Sequence, residues 1–262
     1  MSSSIASQPA GSQSVSGPGR RPSRRTLWIV VAVVAALLVS ATIVAVVVES
    51  LGSRTGRDDA RVVQVQRGDR DQARLEVLDG ATDLRIVADD LGDQLVRAET
   101  PADGAVLPQL SEADGAVRIG LVDSGDGGAA VLEIRVHRDV LWSIRIAGGA
   151  TSQRVDLGAA RVSEVDLAGG ASTMDLVLPV PDGTVAVRMS GGVSTWRVAV
   201  PADVGVRVRL GSGAGGVSLD GARRDGVAGG ETLTTTGWEQ STDRYDIDAV
   251  AGVAELTVTS GR

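Results

Sequence analysis

Carboxylates are the side chains in this sequence best placed to do chemistry. Asp156, Asp166 and Asp175 could be neighbours on one outer face, where some carbohydrate-active β-helix enzymes cluster acids against polysaccharides. Glycosidic cleavage needs one carboxyl kept protonated beside a second that stays ionised. Here the neighbouring residues are Arg154, Arg145 and Arg188, an interleaving that favours ion-paired surface ladders over such an acid and base pair. His137 is the only histidine and falls on the polar side of an alternating run, so the expectation is an exposed strand residue and no metal ligand. Asp123 and Asp126 in DSGDGG resemble pieces of a calcium loop, but EF-hand and nonapeptide spacings are both missing and a turn is expected. No glycine-rich segment has the G-x-x-x-x-G-K-[ST] or G-x-G-x-x-G spacing that cradles phosphate. The sequence therefore assigns no catalytic, cofactor-binding or metal residue, and predicts a protein that is not an enzyme and needs no cofactor.

The elements that would carry these residues are strands. Leu132, Ile134 and Val136 alternate with Glu133, Arg135 and His137, and Val206, Val208 and Leu210 with Arg207 and Arg209. Period two means a strand with one buried face, and no apolar run at helical spacing competes beyond Arg61. A Gly-Gly pair recurs at Gly127, Gly148, Gly169, Gly191 and Gly215, the last four reading GGATS, GGAST, GGVST and GGVSL. Such fixed-period similarity predicts an all-β, glycine-punctuated, solenoid-like stack. Counting from each first glycine gives two apolar columns, Ile134, Val155, Leu176, Val198 and Val136, Leu157, Leu178, Val200. Just ahead of both runs Glu133, Arg154, Asp175, Arg197, whose alternating sign suits direct stacking of successive repeats. A second strand per repeat ends on Ile146, Leu167, Met189 and Leu210. The glycines are expected at corners where φ is positive or two backbones approach closely. Trp142 and Trp196 fall on inward positions. Residues 225–241 break the period, and with the strands around Tyr245, Ile247, Leu256 and Val258 they are expected to cap the stack against pairing with another chain.

Ahead of this domain the composition changes. Residues 1–26 are rich in Ser, Gly, Pro and Gln and are expected to be a disordered basic cytoplasmic tail. Residues 27–48 hold only Ser40 and Thr42 as polar groups. As a helix they span roughly 33 Å, enough for a hydrocarbon core of about 30 Å. Trp28 suits the interfacial belt, and Arg20, Arg21, Arg24 and Arg25 place the tail inside and the long domain outside by the positive-inside rule. The run is longer than a signal-peptide core, so an uncleaved single-pass anchor is expected. Residues 49–60 read as a polar linker and 61–262 as the extracytoplasmic β-repeat domain. Ser23 in RRPSRR has a basic context that suits some Ser/Thr kinases. Formal charge is −7 overall and −11 for residues 49–262, which argues against nonspecific nucleic-acid binding. Cysteine is absent, so packing and backbone hydrogen bonds alone must hold the domain. The tripeptide Arg67, Gly68, Asp69 is a coincidence expected of this composition.

The segments STMDLVLPVPDGTVAVRMSGGVSTWRVAVP and WEQSTDRYDIDAVAGVAELTV, together with the anchor, resemble the bacterial LiaF-like and adhesin-like β-repeat families, also called toast-rack domains, over about residues 75–260. The resemblance implies a non-enzymatic extracytoplasmic domain that senses envelope stress, regulates a membrane partner or adheres. LiaF-like proteins usually carry several membrane helices where this chain has one, which weakens a purely intramembrane regulatory role. The partners expected are the membrane and a protein or cell-wall component at the β domain. Two states remain open for the end strands: pairing between copies, or capping.

Overall fold

The computed structural model describes residues 61–261, so the expected tail, membrane helix and linker lie outside the described residues. No helix among the described residues is long and apolar enough to cross a membrane. What they form is all-β. Two strands make one rung, joined by a tight corner, and the first rung in sequence is β2 (Gln72–Val77) with β3 (Ala81–Asp89), preceded by a lone β1 (Val62–Gln66). The next strands are β4 (Gln94–Glu99), β5 (Val106–Ala113), β6 (Ala116–Asp123) and β7 (Val131–His137). The repeats follow as β8 (Leu141–Ile146), β9 (Ala150–Asp156), β10 (Arg161–Leu167), β11 (Ala171–Val177), β12 (Thr184–Met189) and β13 (Val193–Val200). The chain closes with β14 (Gly205–Leu210), β15 (Ala214–Leu219), β16 (Ala222–Val227), β17 (Glu231–Thr234), β18 (Arg244–Ala249) and β19 (Val253–Ser260).

Two sheets result. Sheet A has ten strands in the order β1-β4-β7-β3-β9-β11-β13-β19-β15-β16, and sheet B nine in the order β17-β14-β18-β12-β10-β8-β2-β6-β5. Pairing is parallel through the middle of both and antiparallel at their ends. Inward residues of the two sheets merge into one apolar core that includes Ile86, Ile134, Val155, Leu176, Val198 and Val258. Trp142 and Trp196 are fully buried in it, as their phase predicts.

The glycine corners work by close approach. A Cβ on Gly169 would strike the carbonyl of Gly148, and one on Gly148 would strike that of Asp79. The corners are tied in series, Ala81 N–H donating to Gly149 O at 3.0 Å, Ala150 to Gly170 at 3.0 Å and Ala171 to Gly192 at 3.1 Å. Only a residue without a side chain lets backbones stack at this spacing. The fifth expected corner is displaced: Gly215 and Gly216 lie inside β15, and Gly213 turns the chain there with φ of 84°.

Stacking order also departs from sequence order. β3 slides between β7 and β9, so Glu133 faces Arg85 and the column runs Ile134, Ile86, Val155. At the other end β18 and β19 enter between rungs, with β19 flanked by β13 and β15. The last strands of the described chain are thus interior strands, and the stack ends on β16 and β17.

Candidate binding surface

Each sheet has an outer face, and the two are built differently. On sheet B one transverse row reads Arg118, Glu76, Arg145, Asp166, Arg188, Asp248, Arg209, alternating in sign from β6 to β14 without a break. Arg118 meets Glu76 at 2.8 Å, Arg188 meets Asp248 at 3.5 Å, and Arg145 is bonded to Asp166. Opposite charges on adjacent strands contribute roughly 0.2–1 kcal/mol per pair, so the row fixes register more than it adds stability. Next to it, Arg207 donates to Asp246 at 3.1 and 2.6 Å. These bonds, with Arg209 close by, hold the Asp246 carboxyl below the usual carboxylate range against the opposing effect of burial.

The corresponding row on sheet A loses this order. It reads Glu99, Glu133, Arg85, Arg154, Asp175, Arg197, Thr257, Ser218. Asp175 lies between two guanidiniums, 3.9 Å from Arg154 and 3.0 Å from Arg197, and beyond Arg197 charge gives way to hydroxyls. The next row begins with Arg97 and Arg135 and then becomes smaller, as Val87, Asp156, Val177, Ala199, Thr259. These short side chains leave a shallow depression of about 420 Å³, walled by Arg154, Asp175 and Arg197 and floored by Val177, Ala199 and Thr257. It combines an apolar floor with hydroxyls and fixed charges.

The three candidate acids do not converge on a reacting centre. Asp156 and Asp175 lie on sheet A and Asp166 on sheet B. Asp156 accepts from Gly158 N–H at 3.1 Å in its turn, and Asp166 and Asp175 are held by arginines. Asp123 accepts from Gly125 N–H at 2.7 Å, also a turn bond, and Asp126 pairs with Arg61 at 2.8 Å. Among the described residues no group of three or more His, Cys, Asp or Glu is arranged to hold a metal ion.

His137 corrects the expectation of an exposed residue, being 2% exposed. Its Nδ1 accepts from Asp139 N–H at 3.1 Å, and Nε2 lies 3.1 Å from Gly92 O and 3.4 Å from the Arg67 guanidinium. Strand β7 ends here, so the turn folds the ring inward and alternation no longer governs it. Its carbonyl accepts from the buried Trp142 indole at 2.8 Å. Trp238, for which no role was legible in the sequence, is 3% exposed and sandwiched between Arg207 and Arg244 at 4.7 and 4.4 Å. Nor did the sequence single out Val177, Ala199, Thr257 and Thr259. Their signal, small uncharged residues at outward positions, is visible only once the strand order is known.

No family model and no curated protein matches the chain. Among solved structures, the chain resembles a candidate cell adhesion protein from Clostridium sporogenes with a TM-score of 0.55 and 16% identity, covering 76% of this chain and 97% of that one. A candidate adhesin from Bacteroides fragilis aligns over 77% of this chain and 97% of its own, at 9% identity and a TM-score of 0.25, too low to carry weight. At this divergence the first likeness establishes a shared all-β fold.

Proposed function

We propose that this chain is a membrane-anchored, non-enzymatic protein of the cell envelope, and that its β domain is an adhesin-like surface module binding a partner protein or the cell wall. The observation that carries the reading is the fold it shares, over nearly all of that protein's length, with a candidate cell adhesion protein. The difference between its faces supports it. Sheet B ties one full row of outer side chains together, and its own depression of about 380 Å³ over Gln72, Ser143, Ser163 and Glu164 is mainly polar, whereas the depression on sheet A sets hydroxyls and held charges around an apolar floor. The held carboxylates Asp166 and Asp175 favour recognition over hydrolysis. Residues 27–48 supply the anchor and the acidic domain lies outside the membrane.

The test uses full-length protein in vesicles, measuring retention on isolated cell walls and on intact cells. A second version has residues 1–48 replaced by an unrelated anchor. Equal retention of both on walls or cells is the expected result. Retention that needs the native residues 1–48, or none with either version, would contradict a surface module acting through its β domain.

A further inference from the structure

We propose that β1 is a self-association edge through which a second copy of this chain pairs antiparallel, about a two-fold axis at Gln64, so that sheet A continues across the dimer. The stack has four edge strands, β1 and β16 in sheet A and β5 and β17 in sheet B. An unpaired edge invites another chain, and proteins blunt it with charge, proline or shortness. Three edges here are blunted. β16 carries Arg223, Arg224 and Asp225, with Arg223 bound to Asp225 at 2.8 Å and to Glu255 at 3.0 Å. β17 has only four residues, and β5 contains Pro108 and Glu112.

β1 has none of these protections, reading Val62, Val63, Gln64, Val65, Gln66. Of the two cations that flank it, Arg67 donates to Arg70 O at 3.1 Å and lies 3.4 Å from the His137 ring, and Arg61 is withdrawn. Arg61 is 4% exposed, and its guanidinium donates inward to Pro101 O at 2.6 Å, Gly104 O at 3.1 Å and Asp126 at 2.8 Å. Thr100 N–H donates to Arg61 O at 3.0 Å, which sets the phase of the β1–β4 ladder. Arg61, Val63 and Val65 therefore turn their backbone groups toward β4, and Val62 and Gln64 turn theirs away. Among the described residues β4 is the only strand to which β1 is bonded. Gln64 and Gln66 are exposed and uncharged, so within β1 pairing meets no charge, and at its ends Arg67 falls opposite the inward-turned Arg61 of the other copy.

The chain outside the described residues says what would occupy this edge. Residues 1–60 enter the domain at Arg61, directly before β1. The inference rests on the reading of residues 27–48 as an anchor, because a five-residue strand alone makes a weak interface. Copies tethered in one membrane share its surface, and tethering raises the effective concentration of one edge for another. Antiparallel pairing about Gln64 would set the two chain entries about 20 Å apart. A linker of residues 49–60 reaches up to about 40 Å, so both anchors fit one bilayer. The two-fold arrangement closes on itself and does not propagate into a fibre.

The chain has no cysteine, so single cysteines report proximity cleanly. Full-length Gln64→Cys, Glu112→Cys, Thr232→Cys and Arg224→Cys, one per edge, are oxidised in native membranes. The expected result is a crosslinked dimer from Gln64→Cys at least tenfold above the other three. Equal yields, or a dimer favoured at another edge, would overturn the proposal. As a second arm, Gln64→Lys places like charges across the axis and is expected to make the native chain monomeric by mass photometry after gentle extraction. A dimer that survives it would also overturn the pairing. Carbonate extraction of the same membranes tests the anchor separately: release of the chain would remove the tethering argument, and a Gln64→Cys dimer persisting there would keep the β1 pairing without it.

Discussion

Sheets A and B share one core and one set of corners, yet their outer faces are put to different use. Sheet B carries an unbroken row of alternating charge from Arg118 to Arg209. Sheet A pairs opposite charges at Glu133 with Arg85 and from Arg154 to Arg197, is broken by the like pairs Glu99–Glu133 and Arg85–Arg154, and then turns to Thr257, Ser218, Ala199 and Thr259. Parallel strands of nearly identical rungs can slip by a whole rung at little cost, and paired charges on one face oppose that. Once sheet B sets the register, the side chains of sheet A are released from it. A repeat protein can in this way keep its stacking code and its contact surface on opposite sides.

The most drastic way to break this comparison is to remove both faces together. Ending the chain at Thr242 deletes β18 and β19, which lie inside the two sheets, and is expected to prevent folding, seen as loss of the β circular-dichroism signal and rapid proteolysis. If the closing strands were a dispensable cap, the shortened chain would stay folded. Gly169→Ala acts on the corner common to both sheets. Its methyl would strike the Gly148 carbonyl, and a loss of about 3 kcal/mol or more in urea unfolding is expected.

Smaller changes separate the faces. Glu76→Arg sets like charges against Arg118 and Arg145 and should lower stability by about 1 kcal/mol, while Glu76→Arg with Arg118→Glu, at the end of the row, should recover part of it. Recovery would confirm that the sheet B row acts pairwise. The smallest effect concerns pH. Asp246 is held below the usual carboxylate range chiefly by its hydrogen bonds from Arg207, so its contribution is complete above that range. It is lost as pH falls through the depressed native value, because the unfolded chain then takes up the proton first. Asp246→Asn should flatten the acid side of a plot of urea midpoint against pH, and an unchanged slope would place the acid sensitivity elsewhere.

Much of this architecture was legible in the sequence. Alternation at Leu132, Ile134 and Val136 gave strands, and the Gly148, Gly169 and Gly191 pairs gave corners, because close backbone approach admits no other residue. The order of stacking was hidden. Rungs that are locally equivalent carry the same period wherever they insert, so nothing in the spacing tells that β3 enters between β7 and β9 or β19 between β13 and β15. For the same reason the opposition of Glu133 to Arg85, and the depression over Val177 and Ala199, could not be read ahead. His137 escaped because alternation holds only as far as the strand does.

The account turns on sheet A being the contact face. The most direct measurement compares two full-length variants, Ala199→Arg on sheet A and Arg188→Ala on sheet B, for thermal midpoint and for retention on walls or cells. The prediction is that Ala199→Arg loses retention at least about tenfold, the scale of a central interface contact, with its midpoint nearly unchanged. Arg188→Ala should keep retention and lose only a little stability. Undiminished retention by Ala199→Arg, or loss confined to Arg188→Ala, would contradict the assignment.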